Sequence, residues 1–277
     1  MKPIKELLEF SIINIDKPSG PTSYQVSDYI REKLELRKTS HMGTLDPAVS
    51  GVLPITLNRA CKLSPYLMKK EKSYVGIMRL HENIDDDILK KEMKKFVGTI
   101  TQMPPLRSSV KRAERQRSVA AFTFLERSEK DVLFETDVEA GTYIRTLVND
   151  LGKTIGGAHM LELRRTKAGL FDESESIRLY DFDRALDAYT RGDESLLRAM
   201  LIPAEKVIES VMPCVLVKKS SLSTLLTGKP FYQKDFLKPL SLVKGAFFAV
   251  FCNEQFIEIA RVVNEGDIIA RPEFVLN

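Results

Sequence analysis

The sequence predicts an α+β (α/β mixed) protein with two domains, residues 1-207 and 208-277. In the first domain, β-branched and apolar runs bounded by turn residues read as strands, and other stretches have apolar residues at helical spacing. Pro203 and Pro213 flank the boundary, and the chain beyond them consists of short apolar runs between glycines, which is typical of a small β domain. A chain of 277 residues, 43% of them hydrophobic, is long enough for two cores.

Turn residues and apolar periodicity place the individual elements. A β-branched run ends in a turn rich in proline and glycine, where Thr22 or Ser23 is suited to cap the next helix. Thr142 is placed in the same way to cap an amphipathic helix that begins near Ile144. The predicted strands are 11–16, 72–80, 119–124, 132–138 and 158–168, and a hairpin pairs 247–251 with 257–262. The predicted helices are 23–34, 57–68, 84–97, 144–155 and 179–207.

The composition indicates a globular protein without a zinc site or a disulfide framework. Three cysteines and three histidines are dispersed, without the close pairs that zinc sites use. No apolar run approaches the ~20 residues that span a bilayer, and the N-terminal residues include acids where a signal peptide needs an apolar core. We therefore expect a cytoplasmic protein that makes no membrane contact.

Positive charge is concentrated in one short segment. Between Pro104 and Ser118 there are five cations against the single acid Glu114, and this excess of four equals the formal net charge of the whole chain, +4. The two prolines at its start rule out a regular helix. From charge alone, a track for nucleic-acid phosphates and a solvated basic loop are equally good interpretations.

The stretch from His41 to Ile55 holds a single carboxylate, Asp46, on a constrained turn. Gly43, Pro47 and Gly51 bracket Asp46, and a residue before proline is pushed out of the helical region. The apolar residues that follow anchor the turn to a core, which is how a catalytic side chain is presented. A bare Asp-Pro pair is more often an ordinary surface turn.

Several motifs, in order along the chain, resemble those of the TruB/dyskerin family of pseudouridine synthases. Gly-Thr-Leu-Asp-Pro surrounds Asp46, and Gly-Thr-Tyr-Ile-Arg-Thr-Leu surrounds Arg145. The others are Lys17-Pro18-x-Gly20, Lys72-x-Tyr74 and, at residues 157–165, Gly-Ala-His-x-x-x-Leu-Arg-Arg. The stretches 104–112 and 157–169 resemble the archaeal branch of the family.

The resemblance implies a site in which Asp46 is the essential aspartate. Arg145 would pair with this carboxylate, where a surface salt bridge is the ordinary alternative for such an arginine. Tyr74 would pack its ring against the target base, although a tyrosine at a strand start is by default half-buried core. Tyr143 and Leu163 would line the base pocket.

Further motif residues are implied to support the site or to displace the base. His41 resembles the family histidine that takes the place of the target base in its stack, and Lys17 and Pro18 resemble an element that supports the active site. Ser40 stands where a glycine usually precedes that histidine, and Met42 where a small residue is usual. We expect intact chemistry and an altered loop shape.

The resemblance favours RNA as the partner of the cations. Those expected to contact the RNA backbone are Arg107, Lys111, Arg112, Arg164 and Arg165. The family fold is a large mixed antiparallel sheet flanked by helices, followed by a small C-terminal β-barrel, the PUA RNA-binding domain. The PUA match is by layout and by Gly228, Gly245 and Gly266. The implied reaction needs no metal and no cofactor.

Three functions remain open at this level. The first is the catalytic subunit of an archaeal H/ACA guide ribonucleoprotein acting on rRNA and also on uridine-55 in the T loop of tRNA. Its implied partners are a guide RNA and small proteins of zinc-ribbon type, glycine-rich type and kink-turn-binding type, with no DNA. The second is a strictly stand-alone tRNA pseudouridine-55 synthase. The third is a non-catalytic RNA-binding chaperone, against which the presence of Asp46, Tyr74 and Arg145 argues.

Overall fold

The computed structural model describes residues 2–68, 70–104 and 113–276, whose strands form one large sheet and one small sheet. The strands of the large sheet are β1 (Ser11–Lys17), β2 (Thr39–His41), β3 (Ser50–Leu57), β4 (Lys72–Leu80), β5 (Gly98–Gln102), β6 (Arg115–Ser128), β7 (Asp131–Val138), β8 (Ala158–Ala168), β9 (Phe171–Asp172), β10 (Ile177–Arg178) and β11 (Ile202–Pro203). Those of the small sheet are β12 (Cys214–Leu216), β13 (Phe231–Tyr232), β14 (Phe247–Cys252), β15 (Gln255–Glu265) and β16 (Ile268–Val275).

The large sheet is mixed. Its order is β10-β1-β3-β8-β4-β7-β6-β5, with β2 beside β3, β9 beside β8 and β11 beside β1. Strand β1 runs parallel to β10, and β3 runs parallel to β8, whereas each neighbour from β8 to β5 is antiparallel. The predicted α+β class with a large mixed sheet is therefore confirmed.

Several of the helices in the described ranges contact strands of the large sheet. The helices are α1 (Ile4–Glu9), α2 (Ser23–Lys33), α3 (Ser64–Leu67), α4 (Asp86–Lys94), α5 (Ile144–Thr154), α6 (Leu179–Thr190), α7 (Ser195–Met200), α8 (Ala204–Glu209) and α9 (Leu222–Leu225). Helix α5 buries Leu147, Val148 and Leu151 and packs against β8, while α4 packs against β6. None of the helices in the described ranges is long and apolar enough to cross a membrane.

Three helix predictions need correction. The stretch 179–207, predicted as helical, is divided into α6, α7, the two-residue strand β11 and the start of α8. Residues 57–68 form the 3₁₀ segment Asn58–Leu63 followed by the short α3, so the expected single α-helix is absent there. The N-cap of α5 is Tyr143, without a side-chain cap hydrogen bond. The predicted cap, Thr142, is buried, and its hydroxyl has no partner within the described part of the chain.

The chain forms two compact units, and their division differs from the predicted one. One unit comprises Ile13–Thr56 and Ser64–Met200, and the other comprises Met1–Ile12, Leu57–Leu63 and Leu201–Asn277. The N-terminal segment thus groups with the C-terminal residues, while the predicted domain boundary at residues 207 and 208 stays a prediction. That segment packs with the C-terminal residues because the ring of Phe10 stacks on that of Phe256, with centroids 5.3 Å apart.

The C-terminal sheet has five strands in the order β12-β14-β15-β16-β13. Three aromatic side chains, Phe231, Phe236 and Phe248, meet in its core with ring centroids 5.6 to 6.3 Å apart. A small β-rich C-terminal unit was expected, and its presence is confirmed.

This sheet buries one acidic side chain. Glu258 on β15 is fully buried, and neither carboxyl oxygen has a hydrogen-bond partner among the residues described. Burial raises the pKa of Glu258 to about 8, because the charged form loses its hydration and gains no compensating contact. The side chain is consequently neutral in the folded protein near pH 7.

We expect Glu258 to make the C-terminal unit lose stability as the pH rises. Unfolded glutamate ionises near pH 4.5, whereas the folded side chain holds its proton to about pH 8. Native protein therefore binds more protons between these values, and the free energy of unfolding falls across this window by roughly 3–5 kcal/mol. Glu258→Gln removes this pH dependence. The urea midpoint of the variant should therefore rise relative to that of wild type from pH 5 to pH 8. The exposed hairpin change Glu254→Gln serves as control. Parallel plots of urea midpoint against pH for Glu258→Gln and wild type would contradict the account.

Candidate active site

The structure brings Asp46 and Arg145 together, although they are far apart in sequence. Nη2 of Arg145 lies 2.5 Å from Oδ2 of Asp46, and both side chains are about half exposed, at 56% and 49%. Asp46 lies on the loop between β2 and β3, and Arg145 lies in the first turn of α5. The two elements meet because α5 packs on β8, whose Arg165 pairs in register with Gly51 at the start of β3.

Lys17 supports the Asp46 loop from beneath. Its fully buried Nζ donates to the carbonyl oxygens of Pro18, Pro47 and Val49 at 2.8, 3.1 and 2.8 Å. Burial lowers the pKa of Lys17, and the negative charge of Asp46 partly opposes this shift. The ammonium thus ties the Lys17-Pro18 turn to the residues immediately after Asp46.

Arg165 holds the other parts of the same loop, and its position contradicts the predicted contact with RNA phosphate. Its side chain is buried, with 1% of the residue exposed. Nε donates to the carbonyl of Val52 at 2.7 Å and Nη2 donates to that of Gly43 at 3.0 Å, while Tyr74 lies opposite Arg165 in the register of β4 and β8. Desolvation lowers the pKa of Arg165, but a guanidinium keeps its charge at neutral pH.

Two glycines make this approach possible. Gly51 has φ +103°, and a Cβ there would lie 2.2 Å from the carbonyl oxygen of Arg165. Gly43 has φ +99°, and its Cβ would lie 3.3 Å from Nη1 of Arg165. Both positions require a left-handed backbone, and Gly51 also requires the absence of a side chain. The loop therefore needs these glycines in order to pack on Arg165.

Tyr74 and Leu163 lie side by side on β4 and β8. Tyr74 is in register with Arg165, and Gly76 is in register with Leu163, so all four face the same side of the sheet. Leu163 covers Gly76, where a Cβ would lie 3.0 Å from the leucine Cδ1. Both Tyr74 and Leu163 are mostly buried. Two of the residues predicted to contact the base therefore lie on one face of the sheet, on neighbouring strands.

His41 ends β2 at the edge of this arrangement. Its ring is partly buried, and Nδ1 has no hydrogen-bond partner within residues 2–68, 70–104 and 113–276. Burial lowers the pKa of His41, and the positive charge of Arg165 lowers it further. The ring is therefore held neutral, which suits contact with a base.

Sequence reasoning missed Gln102, which fixes the start of α5. Its side-chain amide donates to the carbonyl of Tyr143 at 3.2 Å and accepts from the backbone N–H of Tyr143 at 3.0 Å. Gln102 is 3% exposed at the end of β5. This reciprocal pair positions Tyr143 and, two residues later, Arg145. No motif marks Gln102, because a single glutamine before two prolines carries no signal.

A third buried cation lies beside the loop and was also missed in this role. Nζ of Lys72 donates to the carbonyls of Met68 and Lys70 at 3.2 and 2.7 Å. Burial, with a smaller effect from the charge of Arg165, lowers the pKa of Lys72 to about 8. A Cβ at Gly43 would lie 3.7 Å from its Cε, so Lys72 packs directly against the loop.

Arg164, another predicted RNA contact, is paired with acidic side chains of the protein. Arg164 donates to both oxygens of Asp16, at 2.8 and 3.1 Å, and to Glu173 at 2.8 Å. Its predicted phosphate contact remains a prediction. The predicted contacts Arg107, Lys111 and Arg112 lie outside the described residues. Within the described ranges, no group of three or more His, Cys, Asp or Glu side chains is placed to hold a metal ion.

Comparisons with known proteins agree with this geometry. Residues 31–144 match the family model of the TruB family pseudouridylate synthase N-terminal domain, and residues 145–209 match that of the tRNA pseudouridylate synthase B C-terminal domain. A probable tRNA pseudouridine synthase B of Pyrococcus abyssi is 43% identical over 233 residues, which cover 82% of this chain and 69% of the relative. A relative with the same description from Nanoarchaeum equitans is 42% identical over 229 residues, 82% of this chain and 65% of its own.

Solved structures give the same result for the fold. A chain from a structure described as a Cbf5-Nop10-Gar1 complex superposes with a TM-score of 0.88 at 37% identity, covering 99% of this chain and 87% of its own. A chain from an H/ACA RNP bound to a substrate RNA containing 2'-deoxyuridine superposes with a TM-score of 0.87 at 35% identity. The match covers 100% of this chain and 88% of that chain. The chain belongs to the TruB family of pseudouridine synthases, isomerases that act on RNA.

The reaction of this family moves a glycosidic bond without oxidation or reduction. The bond from ribose C1′ to N1 of uracil breaks, the base turns, and C1′ is joined to C5, which releases its hydrogen as a proton. The described site offers one carboxylate, Asp46, on a fixed loop, with Arg145 to aim it. Tyr74 and Leu163 lie on one face of the sheet, and an aromatic ring and an aliphatic side chain are suited to contact with a uracil ring.

We expect Arg165→Met to reduce kcat at least 100-fold because the carbonyls of Gly43 and Val52 lose their donor and the Asp46 loop loosens. The free energy of unfolding should fall by about 2–4 kcal/mol, and Arg165→Lys should recover part of kcat. If Arg165 acts by positioning, the salt dependence of RNA binding stays that of wild type. If the slope of log K against log salt instead becomes shallower by the amount expected for about one lost phosphate contact, Arg165 contacts the RNA backbone.

Gln102→Leu should lower kcat about tenfold with little change in KM, since Arg145 then loses its fixed helix start. The backbone N–H of Tyr143 loses its partner, while its carbonyl keeps only the bond from the N–H of Leu147, so stability should fall by about 1–3 kcal/mol. The exposed Gln116→Leu is the matched control for added apolar surface. Equal kcat values for Gln102→Leu and Gln116→Leu would show that Gln102 does not position the site.

Proposed function

We propose that this chain is the catalytic subunit of an archaeal H/ACA guide ribonucleoprotein that isomerises uridine in rRNA, and that it also modifies uridine-55 in the T loop of tRNA. The ion pair between Asp46 and Arg145 is the observation that carries the proposed catalysis. The similarity over almost the whole chain to Cbf5 from H/ACA structures supports the guide-dependent setting. The name of the archaeal relatives, tRNA pseudouridine synthase B, supports the action on tRNA.

In this proposal the target uridine leaves its stack and enters the space beside Asp46. Extrusion of a base costs a few kcal/mol, which contacts with the flipped base must offset. Tyr74 packs on the uracil face, Leu163 and Tyr143 border the pocket, and His41 occupies the position that the base has left. Asp46 is the catalytic carboxylate.

Substrate binding strengthens the ion pair that aims Asp46. An exposed pair in water is worth only about 0–1 kcal/mol, and both side chains are half exposed in the protein alone. When RNA covers the site, water is excluded and the same 2.5 Å contact gains in strength. The carboxylate is thus aimed most firmly once its substrate is in place.

The proposed partners are RNA and the small H/ACA proteins. The RNAs are the guide, rRNA and tRNA. The proteins are of zinc-ribbon type, glycine-rich type and kink-turn-binding type, and the similar structures contain Nop10 and Gar1 beside Cbf5. We assign the C-terminal unit the role of a PUA RNA-binding domain, as its five-stranded sheet and the likeness to Cbf5 over 99% of the chain support.

Two other functions give different experimental results. A strictly stand-alone synthase would modify tRNA and gain nothing from guide RNA. A non-catalytic RNA-binding chaperone would bind RNA without isomerising it, and the spatial pairing of Asp46 with Arg145 argues against that function.

The test is tritium release from RNA labelled at C5 of uridine. We expect purified wild-type protein to release tritium from a tRNA transcript, and Asp46→Asn to reduce the rate more than 1,000-fold because the nucleophilic carboxylate is lost. The exposed change Asp187→Asn is the matched control and should retain full activity. Release from an rRNA target should require guide RNA and the partner proteins.

The outcomes separate the three functions. Release from tRNA alone, with no stimulation by guide RNA and partners on rRNA, would establish the stand-alone synthase. No release under any condition, with intact RNA binding, would establish the chaperone. Undiminished release by Asp46→Asn would contradict the assignment of the catalytic carboxylate.

A further inference from the structure

A groove with positive charge lies on the same compact unit as Asp46 and ends at His41. We call it the basic groove, and it is formed by α2, its connection to β2 and β2 itself, with a volume of about 330 Å³. The residues that carry the argument are Tyr24, Arg31, Arg37, Lys38, Ser40 and His41. None of the functional roles assigned above uses its outer part.

Three cations and one acid, Asp28, line the groove. Arg37 and Lys38 are exposed on the connection between α2 and β2. The guanidinium of Arg31 contacts Asp28 at 2.7 Å and Glu32 at 3.3 Å. Adjacent lysine and arginine side chains in a groove attract a polyanion, and each phosphate they contact releases a counterion.

An aromatic ring lies in the groove as well. Tyr24 occupies the first turn of α2 and is 68% exposed. Proteins bind single-stranded nucleic acid through exposed aromatic rings that lie beside cationic side chains. A base stacks on the ring while the cations contact the backbone on either side. Apart from Tyr24, the lining is polar or charged, which differs from the apolar centre of a protein docking surface.

The groove adjoins the candidate active site along the chain. His41 lines the groove, and four residues separate His41 from Asp46. Thr39, beside it, is anchored to α2 because Oγ of Ser27 donates to its hydroxyl and that hydroxyl donates to the Ser27 carbonyl, both at 3.0 Å. The groove and the Asp46 loop are therefore parts of one continuous segment, fixed at both ends.

We propose that the basic groove binds the single-stranded RNA segment that adjoins the target uridine, with Tyr24 stacked on one base and Arg37 and Lys38 on backbone phosphates. The inference rests on the proposed function, because it takes RNA as the substrate. It adds the path of the strand on one side of the flipped nucleotide. The groove contributes to substrate affinity and leaves the chemical step to Asp46.

The experiment uses the full chain with Arg37→Gln/Lys38→Gln, Tyr24→Ala and Tyr24→Phe. Binding is measured with a fluorescent single-stranded RNA containing one uridine at several salt concentrations, and tritium release gives kcat and KM on tRNA. Lys91→Gln/Lys94→Gln, two exposed cations on α4, is the matched control for lost charge. Unchanged thermal midpoints show that each variant is folded.

We expect the double change in the groove to make the slope of log K against log salt shallower by about 1.4, the value for two phosphates of a single strand. KM should rise at least tenfold while kcat stays within twofold. Tyr24→Ala should weaken binding about 5- to 100-fold without changing the slope, and Tyr24→Phe should bind as wild type because the ring remains. The α4 control should alter neither quantity.

Several results would overturn the inference. Equal slopes and KM values for the groove variants and wild type would show that RNA does not enter the groove, while tritium release by wild type would leave the proposed function intact. Loss of partner-protein binding with unchanged RNA binding would assign the groove to a protein. Conversely, if the groove variants weaken RNA binding but no variant or wild type releases tritium, the proposed function is refuted and RNA binding by the groove is supported.

Discussion

The candidate site depends on positive charges buried beneath the Asp46 loop. A buried cation is tolerated only where hydrogen bonds replace its lost hydration. Lys17 obtains them from Pro47 and Val49, and Arg165 obtains them from Gly43 and Val52. These four carbonyls lie on both sides of Asp46. The conformation that satisfies the two cations is therefore also the conformation that presents the carboxylate.

This arrangement holds the loop backbone rigid while the Asp46 side chain stays exposed. The backbone of the loop is fixed from the protein interior, so Asp46 itself needs no burial and stays about half exposed to meet a large substrate. Tyr74 lies opposite Arg165 in register, which places the predicted base-stacking ring beside the same support. Gln102 provides a second anchor from β5, and through it Arg145 reaches Asp46 from α5. Two independent supports thus converge on one ion pair.

The sequence predicted the residues of the site better than the interactions that hold them. Motifs marked Asp46 and Arg145, and the structure places them in contact. Arg164 and Arg165 were assigned together, because two adjacent arginines on a strand read alike until the burial of each face is known. Because successive side chains of a strand point to opposite faces, Arg165 is buried, whereas Arg164 is partly exposed and donates to Asp16.

Other features of the structure had no local signal. Gln102 acts through the backbone of a residue distant in sequence, and no spacing rule identifies such a pair. The packing of Met1–Ile12 with the C-terminal unit depends on long-range contacts such as that of Phe10 with Phe256. Strand order in the large sheet is likewise set by distant pairings. The α+β class followed from periodicity, which is local.

The most direct test of the shared support is a double-mutant cycle in kcat with Lys17→Met and Arg165→Met. If both cations hold one loop, either single change already releases it, and the double variant should lose little more activity than the worse single variant. Each variant is measured by single-turnover tritium release at saturating enzyme, so that binding does not enter. Losses that multiply would show that Lys17 and Arg165 act independently and would contradict the account.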